Sequence, residues 1–234
     1  MILDNPSVIE ETSDYAVVFK PPKIHSVPLK QGESGTLVDW YDGQLMHRLD
    51  YETHGLVLFA KNQKSYIFFK DLQDRGEFVK EYSAVCTALC TENDSQAGFP
   101  PSPDCSLAAA HPLTLMSYFR PYGPGRKLVR PVINIGSVPN KEVVKDNGGF
   151  YRTEILNIQK IKGKDIFTVQ IKRGFRHQIR CHLRWIGYPI FNDPLYNSAS
   201  AEQVPPLALR AHALFFTDPS TGEYRECRID PIMV

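Results

Sequence analysis

The sequence predicts an α+β protein, with a mixed and largely antiparallel sheet carrying a few helices, and three observations lead there. Apolar, β-branched runs of strand length recur along the chain, as in YAVVFK, GLVLFAK and DIFTVQIK, each bounded by Pro, Gly, Asn or charged residues. Two neighbouring runs are joined through Lys162-Gly163-Lys164, which has the composition and spacing of a hairpin. Helical periodicity is clear in two short segments, one after Asn62 and one after His177.

In chain order, YAVVFKPP is a short apolar strand stopped by Pro21 and Pro22, and the polar stretch to about Gly43 reads as loop. GLVLFAK is the next strand, entered directly from HRLDYETH. Asn62 is placed to cap a helix to about Gln73, with Tyr66, Phe69 and Leu72 at helical spacing and Gly76 positioned to end it. FVKEYSAVCTAL has the length and composition of a long strand. Residues 91–150, rich in Pro, Gly, Ser and Asn, read as loops holding short strands such as TLMSYFRP and KLVRPVI. YRTEILNIQKI and DIFTVQIK then form the hairpin. HQIRCHLRWIG is an amphipathic helix with Ile179, Leu183 and Ile186 on one stripe, Arg180 and Arg184 on another, and Gly187 as its stop. A loop with two prolines follows over 188–196, and LALRAHALFF is a last long strand before a turn at 217–222.

The 234 residues are 42% hydrophobic and 23% charged, a balance that excludes disordered and collagen-like chains and supports a sizeable core. One domain over 1–234 is expected, with room for two lobes. No stretch approaches the roughly 18 consecutive apolar residues of a membrane span. The acidic start has no signal pattern, so a cytoplasmic protein without a membrane partner is expected. Five scattered cysteines, an odd number, fit a reducing compartment better than a disulfide framework. Cys86, Cys90, Cys105 and His111 lack the spacing of a zinc ribbon or finger, and no glycine loop of the nucleotide-triphosphate type occurs, so neither metal nor cofactor is expected.

The formal charge of +1 hides an uneven distribution. Residues 1–60 hold nine acids against four bases, whereas residues 151–190 hold nine bases against Glu154 and Asp165 alone. Such a run fits either a phosphate-binding face or a solvated surface balanced by acids folded nearby.

Two clusters stand out chemically. His47-Arg48-Leu49-Asp50 lies just before a strand of nearly unbroken hydrophobicity, where a carboxylate is held at a sheet end; the alternative is an Asp50 that caps a turn with His47 packed beneath. Arg173-Gly174-Phe175-Arg176-His177-Gln178-Ile179-Arg180 crowds donors onto a strand-to-helix junction, a natural phosphate site or else a basic solvated helix end. His25, His54 and His212 have no carboxylate or metal-ligand company in sequence and are expected to pack or to sit exposed.

These residues resemble a known family. HRLDYETHGLVLFAK is similar to the signature motif of the RluA-type pseudouridine synthases, and RHQIRCHLRWIGYPIFNDPLYN to their second motif in the same order. Lys80-Glu81-Tyr82 resembles the intervening Lys-x-Tyr element, LALRAHALFFTDPSTGEY the C-terminal strand and turn, and VVFKPP the opening strand. Two positions depart from the pattern: His54 stands where Ser is usual in Thr-Ser-Gly, and Phe175 stands where Arg is usual in Gly-Arg-Thr. The separate N-terminal RNA-binding module of many relatives is not expected.

The resemblance implies a pseudouridine synthase fold whose sheet, flanked by helices, holds Asp50 in a central cleft. It implies an isomerase that breaks the glycosidic C–N bond of a uridine in structured RNA, turns the base and rejoins it through carbon, with no cofactor. Asp50 would be the nucleophile, on either the ribose anomeric carbon or the uracil ring. Arg180 would favour its ionised form and Tyr82 would lie against the uracil. Extruding the base costs a few kcal/mol, and Arg48 would fill the vacated stack. His47, Lys80, Lys162, Lys164, Arg173, Arg176, His177 and Gln178 would complete the RNA contacts. A monomer without a protein partner, acting on transfer or ribosomal RNA, is expected. The rival readings are a non-catalytic RNA-binding protein on the same fold, raised by His54 and Phe175, and a metal-dependent nuclease built on the His and Asp clusters.

Overall fold

The computed structural model describes residues 5–89, 98–103, 112–134, 149–197 and 206–232, so Cys90, Cys105 and His111 lie outside the described residues. The chain divides into two compact units, one made of the residues up to Ser83 together with those from Leu209 on, the other of 84–208. Among the described residues no helix is long and apolar enough to cross a membrane, and no cluster of three or more His, Cys, Asp or Glu side chains is placed to hold a metal.

The first unit is a sheet in the order β1 (Ser7–Glu11), β2 (Tyr15–Lys20), β4 (His54–Ala60), β10 (Leu209–Thr217), β5 (Val79–Cys86). Beside it, β3 (Gln44–Leu45) pairs β4, and β11 (Tyr224–Arg228) pairs β10. β4 and β10 run parallel through His54↔Arg210 and Gly55↔Ala211, while β1–β2, β2–β4, β3–β4 and β10–β11 are antiparallel. All of β2 and β4 is buried, which is why both read as continuous apolar runs and not as alternating ones. Helix α2 (Gln63–Arg75) lays Phe69 and Leu72 onto a core of Tyr15, Val17, Leu56, Leu58, Phe78 and Phe216. Its start is fixed by Asn62, whose side chain accepts from the Ser65 amide at 2.9 Å, and its end by Gly76 at φ 71°. A one-turn helix α1 (Leu37–Trp40) interrupts the stretch expected to be loop.

Gly55 sits at φ 125°, and a Cβ there would fall on the Ala211 backbone. Only glycine lets β4 and β10 approach this closely.

The second unit orders its strands β9 (Lys164–Ile171), β8 (Tyr151–Ile161), β6 (Leu113–Tyr122), β7 (Leu128–Val132), antiparallel throughout. The β8–β9 turn is Lys162-Gly163, with φ 48° and 78°, the two positive values that a two-residue hairpin requires. Both short strands expected within 91–150 are present as β6 and β7. Helix α3 (Gln178–Trp185) differs from the amphipathic expectation, because besides Ile179, Leu183 and Trp185 it buries Gln178, Arg180 and His182, with Arg184 half-buried. Polar side chains on a buried helix demand partners. His182 bonds Ser117 Oγ at 2.9 Å and Thr153 Oγ1 at 2.8 Å, which ties α3 to β6 and β8. The α+β expectation with a mixed, largely antiparallel sheet is borne out.

Candidate active site

In the first unit, the segment between β3 and β4 carries Arg48 and Asp50, and the sequence pins it on both sides of the carboxylate. Leu49 exchanges two hydrogen bonds with Ser26: its amide donates to Oγ at 3.1 Å, and Oγ donates to its carbonyl at 3.0 Å. The Tyr51 carbonyl accepts from the Lys23 amide at 2.8 Å and from Lys20 Nζ at 3.4 Å. Lys20 is fully buried and also donates to the carbonyls of Pro21 and Ile24, at 2.9 and 2.8 Å. Asp50 is half-buried and Arg48 exposed on a loop with little freedom.

The electrostatics centre on Asp50. Burial lowers the Lys20 ammonium to about 7, against the opposing pull of Asp50 and Glu52. Burial first, and then the charge of Asp50, pushes the Tyr82 phenol up, so its hydroxyl keeps its proton at neutral pH. The expected nucleophile and the expected aromatic partner are thus electrostatically coupled within one unit.

Other predicted residues have different surroundings. His47 packs on the Phe78 ring, and its Nε2 accepts from the Leu58 amide at 3.3 Å. Burial, then Lys80, holds its pKa well below the usual value, so it is a neutral ring built into the loop. Lys80, expected among the RNA contacts, is 5% exposed with Nζ 5.1 Å over Phe78, because β5 carries it inward. His212, without a carboxylate near it in sequence, meets Glu81 at 3.0 Å, and Arg228 reaches the same oxygen at 2.9 Å. His54 is fully buried across from Arg210; burial, then Arg210 and Lys20, holds it neutral with a pKa near 3.

In the second unit, Arg180 is buried and gripped at two points by Asp193, Nε to Oδ2 at 2.8 Å and Nη2 to Oδ1 at 2.7 Å. Oδ1 also accepts from the amides of Leu195 and Tyr196, at 2.9 and 3.1 Å. Gln178, expected among the RNA contacts, is buried: its amide nitrogen donates to the Arg152 carbonyl at 2.8 Å and to Thr153 Oγ1 at 3.0 Å, while its oxygen accepts from the Phe175 amide at 2.9 Å. That buried amide ties the junction to β8. Phe175 stacks on Phe119 at 5.1 Å and 11°, beside Tyr151, so this departure from the family pattern extends an aromatic core. His177 takes a left-handed N-cap conformation at φ 57°, with Nδ1 3.3 Å from the Tyr196 hydroxyl. Arg176 is exposed and donates to the Arg126 carbonyl at 2.7 Å, and Arg173 is half-buried. Lys162 is exposed in its turn, and Lys164 lies 4.3 Å over the Phe191 ring.

Lys20 and Asp193 had no role in the sequence reading. Lys20 left a faint signal, a lysine ending a wholly apolar strand; Asp193 lay inside the quoted motif with nothing to mark its partner.

Comparison with known proteins extends this geometry. Residues 14–185 match the family model described as RNA pseudouridylate synthase. An uncharacterized RNA pseudouridine synthase of Helicobacter pylori is 30% identical over 217 residues, covering 91% of this chain and 72% of that one. The uncharacterized RNA pseudouridine synthase YlyB of Bacillus subtilis is 24% identical over 230 residues, covering 92% and 66%. In fold, the chain is similar to human RNA Pseudouridylate Synthase Domain Containing 1, with a TM-score of 0.65 at 19% identity, covering 97% of this chain and 84% of that one.

Proposed function

The chain belongs to the RNA pseudouridylate synthase family and turns uridine in RNA into pseudouridine, and we propose that Asp50 is the nucleophile of that reaction. The observation that carries the assignment is the company Asp50 keeps: its charge acts on both the buried Tyr82 phenol and the buried Lys20 ammonium, on a loop held at Leu49 and Tyr51. A carboxylate fixed in place meets the anomeric carbon or the uracil ring without reorganising. Breaking the C1′–N1 bond and forming C1′–C5 requires that C5 lose its proton and that N1 take one up, so that the product is an isomer of the substrate. Tyr82, protonated at neutral pH, supports a hydrogen-bond or proton-transfer role during that rearrangement.

Arg180 is assigned to the catalytic machinery by its place in the second motif, and within the second unit Asp193 fixes its orientation. Arg48, exposed two residues before Asp50, is assigned to the space left by the extruded base. We further assign the substrate to transfer or ribosomal RNA and the active form to a cytoplasmic monomer; the buried free thiols Cys86, Cys181 and Cys227 support a reducing compartment.

The test is Asp50→Asn in a tritium-release assay on C5-labelled RNA, beside an RNA-binding measurement. Asn keeps the shape and loses the anion, so binding is retained and release is abolished. Turnover near the parent rate overturns the assignment. Mapping pseudouridines in a strain lacking the gene identifies the RNA.

A further inference from the structure

We propose that Tyr51, backed by His25 and flanked by Lys23, is a nucleotide subsite: the base adjoining the target uridine stacks on the Tyr51 ring, and its phosphate meets Lys23. The subsite rests on the reading above in placing the target uridine at Asp50.

Its position follows from the turn that carries the carboxylate. The Thr53 amide donates to the Asp50 carbonyl at 3.1 Å and closes a turn over residues 50–53, with Tyr51 and Glu52 at its centre. The centre of a turn presents side chains outward, and Tyr51 is 42% exposed beside the half-buried Asp50. The two residues are consecutive in the chain, so a strand with its uridine at Asp50 carries a neighbouring nucleotide past Tyr51.

An exposed tyrosine by itself carries no information. What marks Tyr51 is how firmly it is held. Its carbonyl accepts from the Lys23 amide at 2.8 Å and from buried Lys20 Nζ at 3.4 Å. Its ring centroid lies 4.6 Å from that of His25 at a tilt of 36°, so one face is covered and the exposure belongs to the other face and the edge. His25 is fixed in turn, its carbonyl accepting from the Leu37 amide at 2.8 Å where α1 begins. A base meeting this plate has little left to order.

Lys23 supplies charge beside the ring. Its side chain is exposed and has no ion pair among the described residues. Its backbone sits at φ 62°, where a lysine is strained and a glycine is not, and what the strain secures is an ammonium next to Tyr51. Asp50 and Glu52 share the turn, and buried Lys20 feels both. With Lys23, two cations stand against two carboxylates, so a phosphodiester meets no net repulsion there.

The experiment measures binding apart from chemistry. The probe is a short oligocytidylate with one central uridine and 2-aminopurine on its 5′ or its 3′ side, whose fluorescence falls when that base stacks on a ring. The parent, at saturating protein, is expected to quench one of the two probes. Across a salt series, Tyr51→Ala is expected to bind on the order of tenfold more weakly, with the salt slope unchanged and the quench lost. Tyr51→Phe keeps the ring and is expected to restore affinity and quench. Lys23→Gly suits the backbone and removes the charge, so its log–log salt slope is expected to fall by about 0.7 with the melting temperature not reduced. The proposal is overturned by a parent that quenches neither probe, by Tyr51→Ala with parent affinity and quench, by Tyr51→Phe falling as far as Tyr51→Ala, or by an unchanged slope in Lys23→Gly. Tritium release by Asp50→Asn is read separately. Parent-like turnover there refutes Asp50 as nucleophile and leaves the stacking and phosphate contacts as measured.

Discussion

Arg180 and Asp193 form a two-point ion pair with side chains 3% and 0% exposed, so a helix residue of the second motif is aimed by a carboxylate from the loop that follows it. The Tyr196 ring lies 5.5 Å from the same guanidinium. Asp193 thereby couples the direction of Arg180 to the backbone of Leu195 and Tyr196.

Asp193→Ala removes the two-point partner of a buried guanidinium, which costs about 3–5 kcal/mol. The denaturant midpoint is expected to fall accordingly, with Asp193→Asn less severe because the amide oxygen still accepts. A midpoint within error of the parent in Asp193→Ala would show that Arg180 is held elsewhere.

Tyr82→Phe separates stacking from hydroxyl chemistry. The ring is kept, so RNA binding is expected to stay at the parent level. Loss of a group that moves a proton slows single turnover by about 10²-fold or more. Near-parent chemistry removes the hydroxyl from the mechanism and leaves Tyr82 a stacking platform.

His182 predicts acid sensitivity. Burial lowers its pKa from 6.5 to about 3 in the folded chain, so the unfolded chain takes up a proton first as pH falls. The stabilisation is complete above pH 6.5 and is lost between 6.5 and about 3, at about 1.4 kcal/mol per pH unit for this one group. Urea unfolding at pH 7 and pH 4.5 is expected to show a smaller pH penalty in His182→Gln than in the parent, whatever its stability at pH 7. Equal penalties would mean that other groups carry the acid response.

Gly55→Ala forces a Cβ into the Ala211 backbone at a φ that L-residues avoid. Backbone strain alone costs about 1–3 kcal/mol, and the β4–β10 pairing must open further. Thermal unfolding should fall by several degrees, while a parent-like melting temperature would show that the two strands separate freely.

The extent of the central strands was plain in the sequence because each is a solid apolar run with sharp punctuation, as in β2 and β4. β1 and β11 carry no such signal: each pairs with its neighbour in sequence, β2 or β10, but SVIEE and YRECR are short and mostly polar, as edge strands are. The loop that carries Arg48 and Asp50 and the strand that carries Tyr82 stand out in the sequence as ordered motifs. The burial of Lys80 and Gln178 does not, because a Lys or Gln in a list of residues reads as a donor to solvent until tertiary packing assigns it an interior partner. Asp193 was hidden for the related reason that an ion pair between a helix and a later loop has no local periodicity.

The first unit is discontinuous in the chain, its β10 arriving after the whole of the second unit has been made. During synthesis β4 therefore emerges with the edge that will receive β10 unpaired, for about 150 residues of further elongation. At ribosomal speeds that is roughly 8 to 30 s. Over that interval a strand that ends up fully buried is open to pairing with any other chain. Truncations within the last strands would leave that edge open permanently, so damage at the far C-terminal side should register first as aggregation of the nascent protein and only afterwards as lost activity.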